Sequence, residues 1–427
     1  MENTLKELIN NKGNLKIIGI TGSFGKTSTI KILSDYLRKI GKRCVVYSSL
    51  GIDAFGCDED DEVEIAIYNL QSVINAFKKA YEIKADFLIL EVNEKTLDKG
   101  YLKDIPFDIR AITNLYPRHN TLEYTEDEYI NLKQSFFKNI NEDSICIYGD
   151  LNKQLLEEFL SLNNNDKKII STNFLSNAYG LDKKIIDYLV MPKESFDSLS
   201  GLNFLIQTKK EVYELSTSLI MPFNALNIAM AFSIVDTLDL LDIKLLNEVL
   251  QDIIIKGRCE VVKEKGRIVI ISVMCMPHLE ILKKYRERGE IKSLKILTGS
   301  YGAGFDTWDE IYKSDKYKKY INGSMRLAYN YIIKNCDFVY ITTSDNAASD
   351  IDELINTQVE EVKGKISFKA ISDRKDAIRA IIKESNVGDC IFINGRGNRK
   401  VFCKSKDKID YYSDIEIVKE AIKEIKE

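Results

Sequence analysis

The stretch "GITGSFGKTST" (residues 19–29) decides how the rest of the chain is read. Ahead of it, "LKIIGIT" (15–21) is an apolar, β-branched run of strand type. Behind it, "KTSTIKILSDYLRKIG" (26–41) carries Ile30, Leu33, Leu37 and Ile40 at helical spacing and ends on Gly41, a natural helix stop. Strand, glycine turn and helix N-terminus in that order make an anion cradle. Glycines let the backbone approach oxygen atoms closely, and the helix points its first N–H groups at negative charge. Lys26 is placed to reach outer phosphates, and the Thr27 hydroxyl to ligate Mg²⁺. The eight-residue form of such a loop has glycine five positions before Gly25, where this chain has Ile20. The loop is therefore a shortened relative, with Gly22 as its first glycine.

Strand-like and helix-like runs alternate on either side of the loop's helix. "RCVVYSS" (43–49), "ADFLILEV" (85–92), "FDIRAITNL" (107–115) and "SICIYGD" (144–150) read as strands. "SVINAFKKAYEIK" and "EDEYINLKQSFFKNI" between them read as helices. This alternation predicts a mostly parallel sheet wrapped by helices, with sites at the carboxyl ends of the strands. Residues 186–218 show alternation and turn signals without helical period, and read as antiparallel hairpins. "NALNIAMAFSIVDTLDLL" then resumes a helix. After "KGRCE" (256–260) a second α/β series begins, with strands "RIVIISV" (267–273), "SLKILTG" (293–299), "DFVYITTS" (337–344) and "DCIFING" (389–395) and the helix "DRKDAIRAIIKES". The expected domains are 1–255 and 256–427.

With 427 residues the chain is too long for one ordinary core, and 44% hydrophobic with 30% charged residues is the balance of a globular protein. The net charge of −4 gives no support for a nucleic-acid partner. No apolar run is long enough for a membrane span or signal peptide, so a cytoplasmic location with no membrane partner is expected. None of the eight cysteines forms a CxxC pair, which makes buried thiols in a reducing compartment the expectation and a zinc site not expected. Oligomeric state is not legible.

The loop "TGSFGKTS" resembles that of the Mur ligase family, Gly-Thr/Ser-x-Gly-Lys-Thr/Ser, and further segments follow in the family's order. "LEVNEKTLDKG" (90–100) resembles its Glu-Val-Ser-Ser…Leu-Asp-x-Gly segment. "FDIRAITNLYPRHNTLEYTEDEYINLKQSFF" (107–137) resembles its Phe-Asp…Thr-Asn-Leu…Asp-His…Tyr…Lys segment. "MPFNALNIAMA" (221–231) resembles its Phe-Asn-x-x-Asn helix start, and "GRCEVV" (257–262) its Gly-Arg-x-Glu junction. "TTSDNAASDIDELI" (342–355) and "GDCIFINGRGNRK" (388–400) resemble two C-terminal segments. The likeness is greatest to the branch that adds the third amino acid to a muramyl dipeptide.

The resemblance implies an α/β protein: a central P-loop domain with a mostly parallel sheet, and a smaller Rossmann-like C-terminal domain. It implies an enzyme that joins an acid, as a small molecule or peptide, to an amine or amino acid. ATP phosphorylates the carboxylate, the amine attacks the acyl phosphate, and ADP and phosphate leave. Such chemistry needs charge neutralisation at the phosphoryl group and close placement of two substrates. Carried over residue by residue, Gly22, Ser23, Gly25, Lys26, Thr27 and Ser28 would bind ATP, and Thr27, Glu91, His119 and Lys133 would hold Mg²⁺. Lys133 stands 20 residues after Thr113, the family's spacing, where the branch carries a carbamylated lysine. A carbamate would turn a cation into a hard anionic metal ligand. Asn227 would lie near the adenine, although helix capping accounts nearly as well for an asparagine there. Arg258 would approach phosphate from the domain junction. Lys26, Lys133, His119 and Arg258 are the expected catalytic residues.

Several family positions differ. Arg118 stands for the aspartate before His119, and "SVMCMP" (272–277) keeps only Pro277 of a nucleotide-handling segment. "DNAA" (345–348) lacks the arginine that would grip an amino-acid carboxylate, and Gly395-Arg396-Gly397-Asn398-Arg399 replaces Gly-Lys-Gly-His-Glu. The phosphate loop comes within the first thirty residues, so the family's uridine-nucleotide domain is expected to be absent. The ATP half is kept better than the substrate half. Two alternatives follow: a ligase for a cofactor-precursor or polyglutamate-type substrate, and a nucleotide-binding subunit without ligase activity.

Overall fold

The structure, a computed structural model, describes residues 2–54, 69–116, 124–138, 140–162, 166–172, 185–273, 276–300, 315–344, 350–405 and 408–425. The chain divides into two compact units, Met1–Ile253 and Ile254–Glu427.

In the first unit, α1 (Glu2–Asn10) precedes β1 (Lys16–Thr21), α2 (Lys26–Lys39), β2 (Cys44–Ser48), β3 (Gly51–Ala54) and α3 (Leu70–Glu82). Then come β4 (Phe87–Glu91), α4 (Glu94–Asp98), β5 (Ile109–Asn114), α5 (Glu126–Ser135), β6 (Ile145–Asp150), α6 (Lys153–Leu160) and β7 (Lys167–Thr172). Strands β8 (Tyr188–Ser198), β9 (Gly201–Thr208) and β10 (Val212–Thr217) lead into α7 (Asn224–Thr237) and α8 (Ile243–Asp252). Ten strands form one sheet in the order β10-β9-β8-β7-β6-β5-β1-β4-β2-β3. The pairs from β8–β7 across to β4–β2 are parallel, and the hairpins β8–β9–β10 and the edge strand β3 are antiparallel. Strands β2 and β4 are buried along their whole length, which is why they read as unbroken apolar runs rather than alternating ones. Helix α7 is apolar on all sides because it is buried on all sides, against α2 and several strands.

The second unit has a six-stranded sheet in the order β11-β12-β16-β13-β14-β15. Its members are β11 (Glu260–Glu264), β12 (Arg267–Val273), β13 (Ser293–Ser300), β14 (Phe338–Thr343), β15 (Ser367–Ala370) and β16 (Asp389–Gly395). All pair in parallel except β11, which is antiparallel to β12. A small ribbon joins β17 (Val401–Ser405) to β18 (Lys408–Tyr411). Helices Asp315–Asn335, Ile351–Val362, Arg374–Lys383 and Asp414–Glu424 complete the alternation with His278–Glu287. The α/β class implied by the strand–helix alternation is the one observed. Among the described residues no helix is long and apolar enough to cross a membrane. Cys44, Cys146, Cys259, Cys336 and Cys390 are buried thiols, as their strand-like surroundings imply.

His278 packs edge-on to Phe392, with its Nδ1 3.5 Å from Cys259 Sγ. Burial pushes its imidazole pKa down to about 3. Between that value and the ordinary imidazole range the unfolded chain binds a proton that the folded chain does not, so stability falls as pH drops through this window. From pH 7 to pH 5 the wild type is expected to lose about 2 kcal/mol more than His278→Gln. Urea titrations of both proteins at the two pH values measure this; parallel losses would contradict it.

Candidate active site

Strand β1 lies between β5 and β4. The chain leaves β1 toward β2 on one side and later crosses from β4 to β5 on the other, so the connections diverge beside β1. Such a switch point opens a crevice at the strands' carboxyl ends. Three ends meet there: Thr21 of β1, Glu91 of β4, and Thr113 with Asn114 of β5.

The loop after β1 is clamped by the end of β5. Ser23 N donates to Asn114 O (3.1 Å) and Phe24 N to Asn114 Oδ1 (3.0 Å). Thr113 Oγ1 donates to Phe24 O at 2.6 Å, and Asn114 Nδ2 to the same oxygen at 3.1 Å. Ser23 Oγ lies 3.1 Å from the Tyr129 hydroxyl of α5. These neighbours dictate glycine at two positions. A Cβ on Gly22 (φ 139°) would stand 2.1 Å from Thr113 Oγ1, and one on Gly25 (φ 82°) 2.2 Å from Asn227 Oδ1. Gly25 opens α2 with no side-chain cap, and the first helical bond runs from Thr29 N to Gly25 O (2.9 Å). The amides of that first turn thus precede the helix's own ladder, the arrangement that receives anions. Gly25→Ala is expected to cost about 1–3 kcal/mol, from left-handed backbone and the clash together. Adding Asn227→Ala should restore only the clash part, and complete rescue in denaturant titrations would show that backbone strain contributes nothing.

Lys26 folds back over the loop, its Nζ donating to Gly22 O (2.8 Å) and Ser23 O (3.4 Å). Beside it, Thr27 Oγ1 donates to Glu91 Oε2 at 2.8 Å and lies 2.8 Å from Ser49 Oγ. Ser49 N donates to the same carboxylate oxygen at 3.0 Å. Glu91 is buried, and Ser28 is buried on the next position of α2. A hydroxyl and a carboxylate side by side are hard oxygen donors. They fit Mg²⁺, which takes few protein ligands and keeps waters. Two glycines that a Cβ would block, an uncapped helix start and Lys26 fit a polyphosphate.

Lys133, on α5, is fully buried; its Nζ donates to Glu94 Oε2 (3.2 Å) and to Thr21 Oγ1 (3.3 Å). Burial pushes the Lys133 ammonium down to about 8, with Lys26 adding repulsion and Glu94 opposing it. Burial would raise the Glu94 carboxyl, but Lys133 and then Lys26 outweigh it and hold it at about 2. At neutral pH the pair is an ammonium and a carboxylate. The pair favours Glu94's charge more than it favours that of Lys133, because Lys133 is the fully desolvated partner and also faces Lys26.

Asn227 braces the loop through Gly25, and its Nδ2 donates to Asn224 Oδ1 (2.9 Å), while Asn224 Nδ2 donates to Ile220 O (2.6 Å). The N-cap of α7 is Phe223 and receives no side-chain cap, so neither asparagine caps this helix. Arg258 belongs to the second unit, where its Nη1 donates to Gly257 O at 3.3 Å. His119, Arg118, Asp345 and Asn346 lie outside the described residues. Among the described residues no group of three or more His, Cys, Asp or Glu side chains could hold a metal. Sequence reasoning missed Ser49, Thr113's clamp, Asn114, Tyr129 and above all Glu94. The only signal for Glu94 was a carboxylate three residues after Glu91, where the resemblance has serine.

Compared with known proteins, residues 20–235, half of the chain, match the family model "Mur ligase middle domain". The chain belongs to the Mur ligase family. A UDP-N-acetylmuramoyl-L-alanyl-D-glutamate–2,6-diaminopimelate ligase of Caldanaerobacter subterraneus is 28% identical, covering 97% of this chain and 80% of its own. Two solved structures share the fold. The MurF ligase of Thermotoga maritima in complex with ADP has a TM-score of 0.66 at 15% identity, covering 99% of this chain and 83% of its own. The Mycobacterium tuberculosis folylpolyglutamate synthase complexed with ADP has a TM-score of 0.67 at 15% identity, covering 92% of this chain and 90% of its own. By family this chain groups with ATP-dependent amide-bond ligases, as its motifs implied.

Proposed function

We propose that this Mur ligase forms an amide bond between a carboxylic acid and an amine, using Mg·ATP and passing through an acyl phosphate. The observation that supports it most is the juxtaposition of the Lys26 loop with the Thr27–Glu91 pair and the Lys133–Glu94 pair at the carboxyl ends of β1 and β4. The ATP and its Mg²⁺ would supply the phosphoryl group and the neutralising charge. In this reading Gly22, Ser23, Gly25 and Ser28 form the cradle for the phosphates. Lys26 exchanges loop carbonyls for phosphate oxygens. Thr27 and Glu91 hold the metal, with His119 as a further ligand carried over from the family segment. Asn227 orients the nucleotide side of the loop, and Arg258 is carried over from the family segment as a phosphate-directed residue. Residues 1–255 form the ATP-binding domain and 256–427 the C-terminal one.

The diaminopimelate ligase relative suggests a UDP-muramyl dipeptide as one acid, and the folylpolyglutamate synthase fold a polyglutamate-type acid as another. "DNAA" (345–348), lacking the substrate-gripping arginine, favours an amine other than an ordinary amino acid, and is also what supports a subunit without ligase activity. The test is ADP formation over a panel of acids and amines, including these two acids. Carboxylate oxygens are labelled with ¹⁸O. Transfer of one label into phosphate, dependent on acid, is the expected result. ATP binding with no acid-dependent label transfer across the panel would favour the subunit reading.

A further inference from the structure

The groups in direct contact with Lys133 Nζ are electron-rich, and the Lys26 ammonium acts on it only as a repulsive charge. Glu94 Oε2 lies 3.2 Å away, Thr21 Oγ1 3.3 Å, and the centre of the Tyr129 ring 5.3 Å. The Thr21 hydroxyl hydrogen is already committed, donating to Val92 O at 2.7 Å, so this oxygen turns lone pairs toward Lys133. A carboxylate, a hydroxyl lone pair and a ring face match the three N–H donors of an ammonium. A carbamate on Lys133 would present acceptor oxygens to these same groups. It would find an anion in Glu94, and in Thr21 a hydroxyl with no hydrogen to give. The segment "EVNE" (91–94) aligns with Glu-Val-Ser-Ser, and a serine at position 94 would be neutral and able to donate. Glu94 reverses both properties.

We infer that Lys133 of this chain is retained as an unmodified ammonium, held by Glu94, and that the Glu94 carboxylate occupies the anionic place a carbamate would otherwise take. Glu94 is a positioning residue in this scheme: it fixes the state and direction of Lys133. What this corner contributes to catalysis rests on the ligase reading. The state of Lys133 does not, so the test uses neither acid nor amine.

The experiment is ¹³C NMR of the full chain in ¹³C-bicarbonate with Mg·ADP, comparing wild type, Glu94→Ser and Lys133→Arg. Wild type is expected to show no carbamate carbon beyond those remaining in Lys133→Arg. Glu94→Ser is expected to gain one, lost again when Lys133→Arg is added. A wild-type carbamate signal that disappears in Lys133→Arg would overturn the inference. So would a folded Glu94→Ser as silent as wild type, because the carboxylate would then not decide the state of Lys133. Should Glu94→Ser fail to fold, the wild-type spectrum decides alone.

Discussion

Lys26→Ala is expected to weaken Mg·ATP binding by on the order of 100-fold, about 3 kcal/mol, and to lower turnover by on the order of 10³-fold. The side chain folds over the loop that Gly22 and Gly25 shape, with its Nζ on two loop carbonyls. Those carbonyls keep the ammonium over the cradle without neutralising it, so its charge is available to phosphate oxygens. The loss should be larger in turnover than in affinity, because negative charge at the transferring phosphoryl group is placed closest to Lys26 when the bond is breaking. The fold should survive, since Thr113 and Asn114 hold the loop backbone independently and Tyr129 holds the Ser23 side chain. Calorimetry with Mg·ATP and circular dichroism on the same sample make the measurement. Unchanged affinity in a folded Lys26→Ala would remove the phosphate-loop assignment.

What could be read in the sequence divides along physical lines. Strands β1, β4 and β16 were legible because a parallel strand covered on both faces is an unbroken apolar run. Strands β3 and β15 were not. Each has four residues at a sheet edge with much of its surface exposed, so no burial pattern marks them. The phosphate loop was legible because its chemistry is contiguous: glycines, lysine and threonine follow one another. Its supports come from β5, α5 and α7, about 90 to 200 residues away in sequence. No spacing rule connects Asn114 or Asn227 to Gly25. Lys133 was found through its distance from Thr113, but its partner was hidden. Family likeness directs attention to matched positions, and Glu94 is a mismatch. The buried charge of the second unit was hidden in the same way, since Asp414 falls in no motif.

That charge carries the largest expected effect on stability. Asp414, Arg374 and Arg396 are all fully buried. Arg374 Nε and Nη2 donate to the two Asp414 oxygens at 3.0 and 2.7 Å, and Arg396 Nη1 to Oδ1 at 3.4 Å. Arg374 also donates to Thr343 O (3.4 Å) and Asn394 O (3.0 Å), tying together the ends of β14 and β16. Arg396, in place of the family's lysine, lies over the rings of Phe402 and Tyr412 at 4.8 and 4.9 Å. One carboxylate thus serves two desolvated guanidinium groups. Asp414→Asn keeps the volume but removes the charge, and turns an NH₂ toward a donor fork. Breaking a buried pair from one side costs about 3–5 kcal/mol, so the second unit should unfold at much lower urea. Glu384→Gln, which removes the exposed partner of Lys369, is the control and should cost under about 1 kcal/mol. Circular dichroism during urea titration compares the three proteins. If Asp414→Asn melted with wild type, the two arginines would be stable without the carboxylate. The strand ends would then be held by the rings and carbonyls alone.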